Sequence, residues 1–336
     1  MMPASISGME EEQMARHRRY GLIGPVALLS AVLAASAARE SAAITAGDAI
    51  VASHGRALAP VPSSRTYWPS STGTIELSAA GAERANRTSG HDTASELGRL
   101  LALQAVAGPI GSESVIGADT RRRVSATTGF PARASVLITF SGGRCTGWLI
   151  SKDTVITAGH CVHSGSEMGD FYPVSSYRVY PGRNGSANPY GSCTARWTAS
   201  VAGWTVDGDD AFDYGAIKLN CTIGNTTGWY GYFWTSASLT GLPTIVSGYP
   251  GDKPLTQWRS DDLVRVNQAR RLFYQNDTLG GMSGSPVYYN RAGCGFCAMA
   301  VHAYGTYGTP PSSTNNHGTR VTRAVFNNFN AWRTAP

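Results

Sequence analysis

The chain has 336 residues, a formal net charge of +6, 39 glycines and only 15% charged residues. That length allows two ordinary domains, or one two-barrel domain with processing segments ahead of it, and the abundant glycine with recurrent Val, Thr, Tyr and Trp favours strands and turns over long helices. The positive charge is scattered rather than gathered into Lys/Arg runs interleaved with aromatics, so it reads as a solvated basic surface and not as a nucleic-acid-binding face.

The N-terminus carries Arg16, His17, Arg18 and Arg19, then an apolar run from Tyr20 to Ala34, then Ala35-Ser36-Ala37. This order of charge, apolar core and small residues predicts a secretory signal over residues 1–37, with Met14 as an alternative start because an acidic stretch precedes it. The apolar run is short for a bilayer span and no second one follows, so a secreted protein with no membrane association in its mature form is expected. Residues 38–113 are rich in Ala, Ser, Gly and Thr and contain no cysteine. They read as a propeptide with one short helical pattern near 95–107.

From Ser114 the pattern changes to short strand-like runs separated by Gly, Pro and Asn: 135–140, 146–150, 154–157, 214–219, 244–247, 285–289 and 298–302. Strands at this density predict an all-β barrel or sandwich. Val325, Phe326, Phe329 and Trp332 fall at helical spacing and predict a terminal helix over about 322–332.

All six cysteines, Cys145, Cys161, Cys193, Cys221, Cys294 and Cys297, lie beyond the leader. An even number in an exported chain predicts disulfides, and sequential pairing is the simplest arrangement. Cys294-Gly-Phe-Cys297 is a lone CxxC without a second pair, so no metal site is expected.

Three segments carry chemistry: Thr157-Ala-Gly-His160-Cys161, Asp213-Tyr-Gly-Ala-Ile-Lys-Leu219 and Gly280-Gly-Met-Ser283-Gly-Ser-Pro286. A serine hydroxyl is a poor nucleophile at neutral pH. It needs an imidazole within hydrogen-bond reach, and the imidazole needs a carboxylate to fix its tautomer and stabilise its cation. His160, Asp213 and Ser283 supply these groups, with Asp209 and Asp210 as the nearest rivals to Asp213. The glycines around Ser283 allow the backbone N–H groups of Gly281 and Ser283 to converge on an oxyanion. No organic cofactor is needed for such chemistry.

These motifs resemble the trypsin-like serine peptidases over residues 114–336. Gly280-Gly-Met-Ser283-Gly-Ser-Pro286 and the opening Ser114-Val-Ile-Gly117 are similar to the bacterial glutamyl endopeptidase, V8-like branch. The resemblance implies two six-stranded antiparallel barrels, about 114–230 and about 231–320, with the active site in the cleft between them. It assigns Thr278 and His302 to the specificity pocket and Ala303, Tyr304 and Gly305 to the substrate backbone. It also implies that the amine of Ser114 helps receive an acidic side chain. A monomer is expected, acting on protein or peptide substrates and having its own propeptide as a partner.

Two readings of specificity compete. Asp277 sits six residues before Ser283, where relatives that cut after Arg or Lys carry their pocket aspartate. Against this, Met282 stands where trypsin-type activation requires an aspartate. Within 38–113 glutamate falls at Glu40, Glu76, Glu83, Glu96 and Glu113, but beyond Ser114 only at Glu167, as suits an enzyme that cuts after Glu and releases itself at Glu113. Arg/Lys or mixed specificity through Asp277 is the alternative; a silent homologue that only binds a partner is a third reading, although the Ser-His-Asp set is complete.

Overall fold

The computed structural model describes residues 45–73, 90–103 and 114–336. The leader expected over 1–37 lies outside them, as does Glu113. Ahead of the main body come β1 (Ile50–Ala52), β2 (Tyr67–Trp68), β3 (Gly90–His91), a helix at Ala94–Ala102 and β4 (Arg122–Arg123). The helix overlaps the pattern read from sequence near 95–107, of which 104–107 lie outside the described residues; Thr93 caps it by accepting from Glu96 N, and it buries Leu100 against Leu137, Tyr180, Tyr249 and Leu255.

The first barrel is built from β5 (Ser135–Phe140), β6 (Gly143–Leu149), β7 (Thr154–Thr157), β8 (Arg178–Pro181), β10 (Cys193–Val201) and β11 (Gly215–Leu219), with the short β9 (Ala187–Asn188) outside it. The ring runs β10-β11-β7-β6-β5-β8 and is closed by pairing of β8 with β10. After β12 (Gly231–Phe233), the second barrel uses β13 (Pro243–Gly248), β14 (Trp258–Asn267), β15 (Arg271–Tyr274), β16 (Pro286–Arg291), β17 (Gly295–Tyr304) and β18 (Asn316–Arg320). Its ring, β16-β13-β14-β15-β18-β17, closes through β16 and β17. Both are six-stranded and antiparallel. Closure pairs most strand edges of each ring, although β8 meets only Cys193 and Thr194 of β10.

Each barrel is filled by inward-facing aliphatic side chains, Val136, Ile138, Val155 and Ile217 in the first and Val246, Val264, Leu272 and Met299 in the second. A third cluster, including Trp148, Tyr214, Tyr232, Phe329 and Trp332, lies under the C-terminal helix Arg323–Thr334. That helix is capped by Thr322, whose hydroxyl accepts from Val325 N. The first barrel begins later than its expected span from about 114. Arg122 and Arg123 pair with β14 of the second barrel, so residues 114–124 serve that barrel although they precede the first in sequence.

Three disulfides form, Cys145–Cys161, Cys193–Cys221 and Cys294–Cys297. The first joins β6 to the turn bearing His160. Among the described residues, no helix is long and apolar enough to cross a membrane.

Candidate active site

His160 sits in a 3-10 turn, Gly159–Cys161, directly after β7. Asp213 ends another such turn, just before β11, and β11 pairs with β7, so the two residues meet at one end of neighbouring strands. The contact is two-pronged. Asp213 Oδ2 lies 2.7 Å from His160 Nδ1, and Oδ1 accepts from His160 N at 2.9 Å. Asp213 is fully buried and His160 nearly so. A buried carboxylate on Nδ1 places the imidazole proton there and leaves Nε2 as the basic nitrogen. Trp204 and Tyr304 pack their rings beside the imidazole, at 6.3 and 6.1 Å between centroids, and screen it from water.

The two rival aspartates are engaged elsewhere. Asp209 caps its own turn by accepting from Ala211 N, and Asp210 pairs with Arg271 and accepts from the Tyr307 hydroxyl.

Ser283 lies in the tight turn before β16. A trans peptide holds its N–H and C=O on opposite sides, so fixing one fixes the other. The Gly280 carbonyl accepts from Gly251 N at 2.6 Å, which turns the N–H of Gly281 the other way. The Met282 carbonyl accepts from Ser285 N at 2.9 Å and sets the N–H of Ser283 likewise. Between them, the Gly281 carbonyl is held by the Thr146 hydroxyl at 2.8 Å. Gly281 has φ +100 and Gly284 φ +87. A Cβ on Gly284 would stand 2.2 Å from both Thr146 O and Thr157 Oγ1. The glycines therefore permit a backbone that L side chains rarely adopt and a close approach to the first barrel.

Beyond this turn, His302 on β17 is bonded by its backbone to the same loop: Gly284 N donates to His302 O, and His302 N donates to Ser285 O. Its ring is fully buried, with Nδ1 2.8 Å from the Tyr274 hydroxyl and no hydrogen-bond partner on Nε2 among the described residues. Burial, with lesser effects from His317 and His160, pushes its pKa down to about 3. The ring is thus neutral at pH 7. In the tautomer in which the phenol donates to Nδ1, the ring proton sits on Nε2, which is then a donor. The Thr278 hydroxyl is also buried and without a partner among the described residues.

The segment at Ser114 docks beside Thr278. Thr278 N donates to Ser114 O at 3.2 Å, Asn316 Nδ2 donates to the same carbonyl at 2.6 Å, and Ser114 N donates to Asn316 Oδ1 at 3.1 Å. Asp277 is 1% exposed. Its carboxylate accepts from Ile116 N at 2.8 Å, Thr120 N at 2.7 Å and Thr120 Oγ1 at 2.6 Å. It holds down the loop after Ser114 rather than standing as a free charge in a pocket.

Sequence reasoning missed His317. It lies on β18 with both ring nitrogens unpartnered among the described residues, packed against Phe273, Tyr304 and Tyr307, and burial pushes it down to about 3. Only the strand register, which sets His317 opposite Tyr304 and Gly318 opposite His302, brings it there. A histidine in the loop-like run Asn315-Asn-His-Gly carries no local signal of that placement.

Known proteins share the sequence and fold of this chain. Residues 145–294 match the family described as a trypsin-like peptidase domain. The glutamyl endopeptidase of Bacillus licheniformis is 45% identical over 230 residues, covering 67% of this chain and 71% of that protein. A Bacillus subtilis protein called an extracellular metalloprotease is 46% identical over 227 residues, covering 65% of this chain and 69% of that one. A solved Glu endopeptidase in complex with MPD superposes with a TM-score of 0.60 at 30% identity, with 66% of this chain covering 100% of that one. Among the described residues, the cluster close enough to share an ion is Cys145, His160 and Cys161, and its two sulfurs are joined to each other, so it does not fit the metal that the second relative's name implies. The chain belongs to the trypsin-like serine peptidases and is a serine endopeptidase of the glutamyl endopeptidase type.

Proposed function

We propose that the protein is a secreted endopeptidase that cuts after glutamate, made as a precursor severed between Glu113 and Ser114. Ser283 attacks the scissile carbonyl while His160 Nε2 takes its proton, and Asp213 stabilises the imidazolium that results. The N–H groups of Gly281 and Ser283 receive the oxyanion. His160 then gives the proton to the leaving amine, and water, activated by the same imidazole, resolves the acyl-enzyme.

The observation that carries the preference for glutamate is the buried His302, neutral at pH 7 with no partner on Nε2 among the described residues, together with the buried Thr278 hydroxyl, which likewise has none there. A carboxylate entering a dry site must keep hydrogen bonds, and these two groups offer them. Ala303, Tyr304 and Gly305 then pair with the substrate backbone. Ser114, docked beside Thr278, would add a positive amine once freed. The alternative Arg/Lys preference depends on Asp277, whose carboxylate is already engaged by Ile116 and Thr120. The precursor boundary has separate support: 66% of 336 residues is about 222, close to the length of residues 114–336. Secretion is supported by the leader-like N-terminus and by the name of the extracellular relative.

Digestion of a protein of known sequence, followed by mass spectrometry of the new C-termini, tests this reading. Cleavage predominantly after Glu, abolished by Ser283→Ala, supports it, and cleavage predominantly after Arg or Lys overturns it. Sequencing the N-terminus of the secreted protein tests the boundary, with Ser114 as the expected first residue.

A further inference from the structure

We infer that residues 45–73 are a strap that stays bound to the catalytic domain after the chain is cut, bracing both barrels from outside the cleft. The inference rests on the reading of residues 38–113 as a pro-segment. It goes beyond that reading by assigning the segment a lasting structural partner, namely the domain that it precedes.

The strap adds a strand to each half of the molecule. β1 pairs antiparallel with the end of β10, Ile50 opposite Val201 and Ala52 opposite Ala199. Ala202 N donating to Ala49 O and Ser53 N donating to Thr198 O extend the ladder at both ends. β2 pairs antiparallel with β12, Trp68 opposite Tyr232, and β12 in turn lies parallel to β17 of the second barrel. Without the strap, the end of β10 and the outer side of β12 are open strand edges, which natural sheets avoid exposing.

Between the two strands, the strap grips the C-terminal helix. Val61 N donates to Asn327 O, and the Trp68 indole N–H donates to Asn330 Oδ1, which also accepts from the Tyr232 hydroxyl at 2.8 Å. The Arg333 guanidinium stacks 4.8 Å above the Trp68 ring.

The anchor is Asp48, which is completely buried. It receives both terminal nitrogens of Arg270, at 2.6 and 3.1 Å, while the Arg270 guanidinium lies 3.7 Å over the ring of Phe212. The Tyr214 hydroxyl also reaches Asp48 Oδ1, at 3.4 Å. Phe212 and Tyr214 flank Asp213, so the anchor packs against the turn that presents that aspartate to His160. A buried two-nitrogen ion pair is strongly destabilised by removal of one partner, because the other charge is then stranded. Strand pairing, an aromatic anchor and a buried ion pair together are the makings of a persistent interface.

The test uses the full chain carrying Ser283→Ala, with the recognition sequence of a site-specific protease replacing residues 104–110. After complete cutting, native size-exclusion chromatography at 1 μM separates bound from free fragment, and denaturing electrophoresis identifies the bands. Co-elution of the N-terminal fragment with the catalytic domain is expected; elution of the free fragment overturns the proposal. In Asp48→Ala the dissociation constant should rise on the order of 100-fold. An unchanged constant overturns the anchoring role. Should Asp48→Ala not fold, Trp68→Ala is the second variant, with release again expected. Because the cut is imposed, a natural processing site other than Glu113 would refute the proposed boundary and leave this test intact.

Discussion

Asp277 offers a sharp test of specificity, because it is either a structural acceptor or the reader of basic substrates. Asp277→Asn keeps Oδ1 for Ile116 N and turns the other oxygen into an N–H group facing the N–H of Thr120. One charge-assisted bond to a backbone donor is lost outright, and the Thr120 hydroxyl must reorient. Hydrogen bonds to charged groups are worth roughly 1.5–3 kcal/mol, and the loop is exposed enough for water to recover part of that, so a loss of about 2–3 kcal/mol is expected. For a domain of this size that lowers the melting temperature by roughly 4–12 °C. The assay is thermal unfolding of the variant in a Ser283→Ala background, with kcat/KM for paired Glu and Arg peptides measured in the active one. Weaker folding, with the preference for Glu over Arg retained, is the expected result. An unchanged melting temperature with selective loss of Arg cleavage would refute the structural role.

Three further outcomes follow from the site. Burial holds His302 and His317 at about 3, whereas an unfolded histidine titrates near 6.5. Stability is therefore complete above about pH 6.5 and falls as pH drops toward 3, each group contributing up to about 1.4 kcal/mol per pH unit. In Ser283→Ala, His317→Phe should reduce the loss between pH 7 and 4.5 by about 2 kcal/mol in urea titrations; equal acid sensitivity would contradict the assignment. Thr278→Val should leave stability within about 1 kcal/mol, because the hydroxyl has no partner among the described residues, yet lower kcat/KM on Glu peptides about tenfold. A larger loss of stability with unchanged kinetics counts against a pocket role. Gly284→Ala should cost roughly 3 kcal/mol or more, or prevent folding, because the added methyl meets two first-barrel oxygens at a positive φ. Normal expression and melting would show that the turn can relax.

Strands were legible where apolar runs are short and bounded by turn residues. Ser135–Phe140 and Thr154–Thr157 coincide with their expected spans and are buried along their whole length. Trp258–Asn267 escaped notice because its residues are largely half-exposed and charged, with Arg259 and Asp261 pairing on its surface. The His160, Asp213 and Ser283 motifs each carry a local signature, and the structure brings the first two into contact. Asp277 carries no such signature, since Ile116 and Thr120 lie about 160 residues away along the chain and meet it only in the folded protein. The docking of residues 45–73 was invisible for the same reason: its composition resembles a linker, and its partners are strand edges defined by tertiary structure.

Ser114 is already seated between Thr278, Thr306 and Asn316 while still joined to the chain before it. Scission ahead of it would free an amine whose neighbours are already in place. What changes is the electrical character of one nitrogen, from a neutral amide to an ammonium, at a place that is already built. Under the proposed processing, activation would include a switch of charge at that seat, governed by the ionisation of the amine and sensitive to anything that caps it.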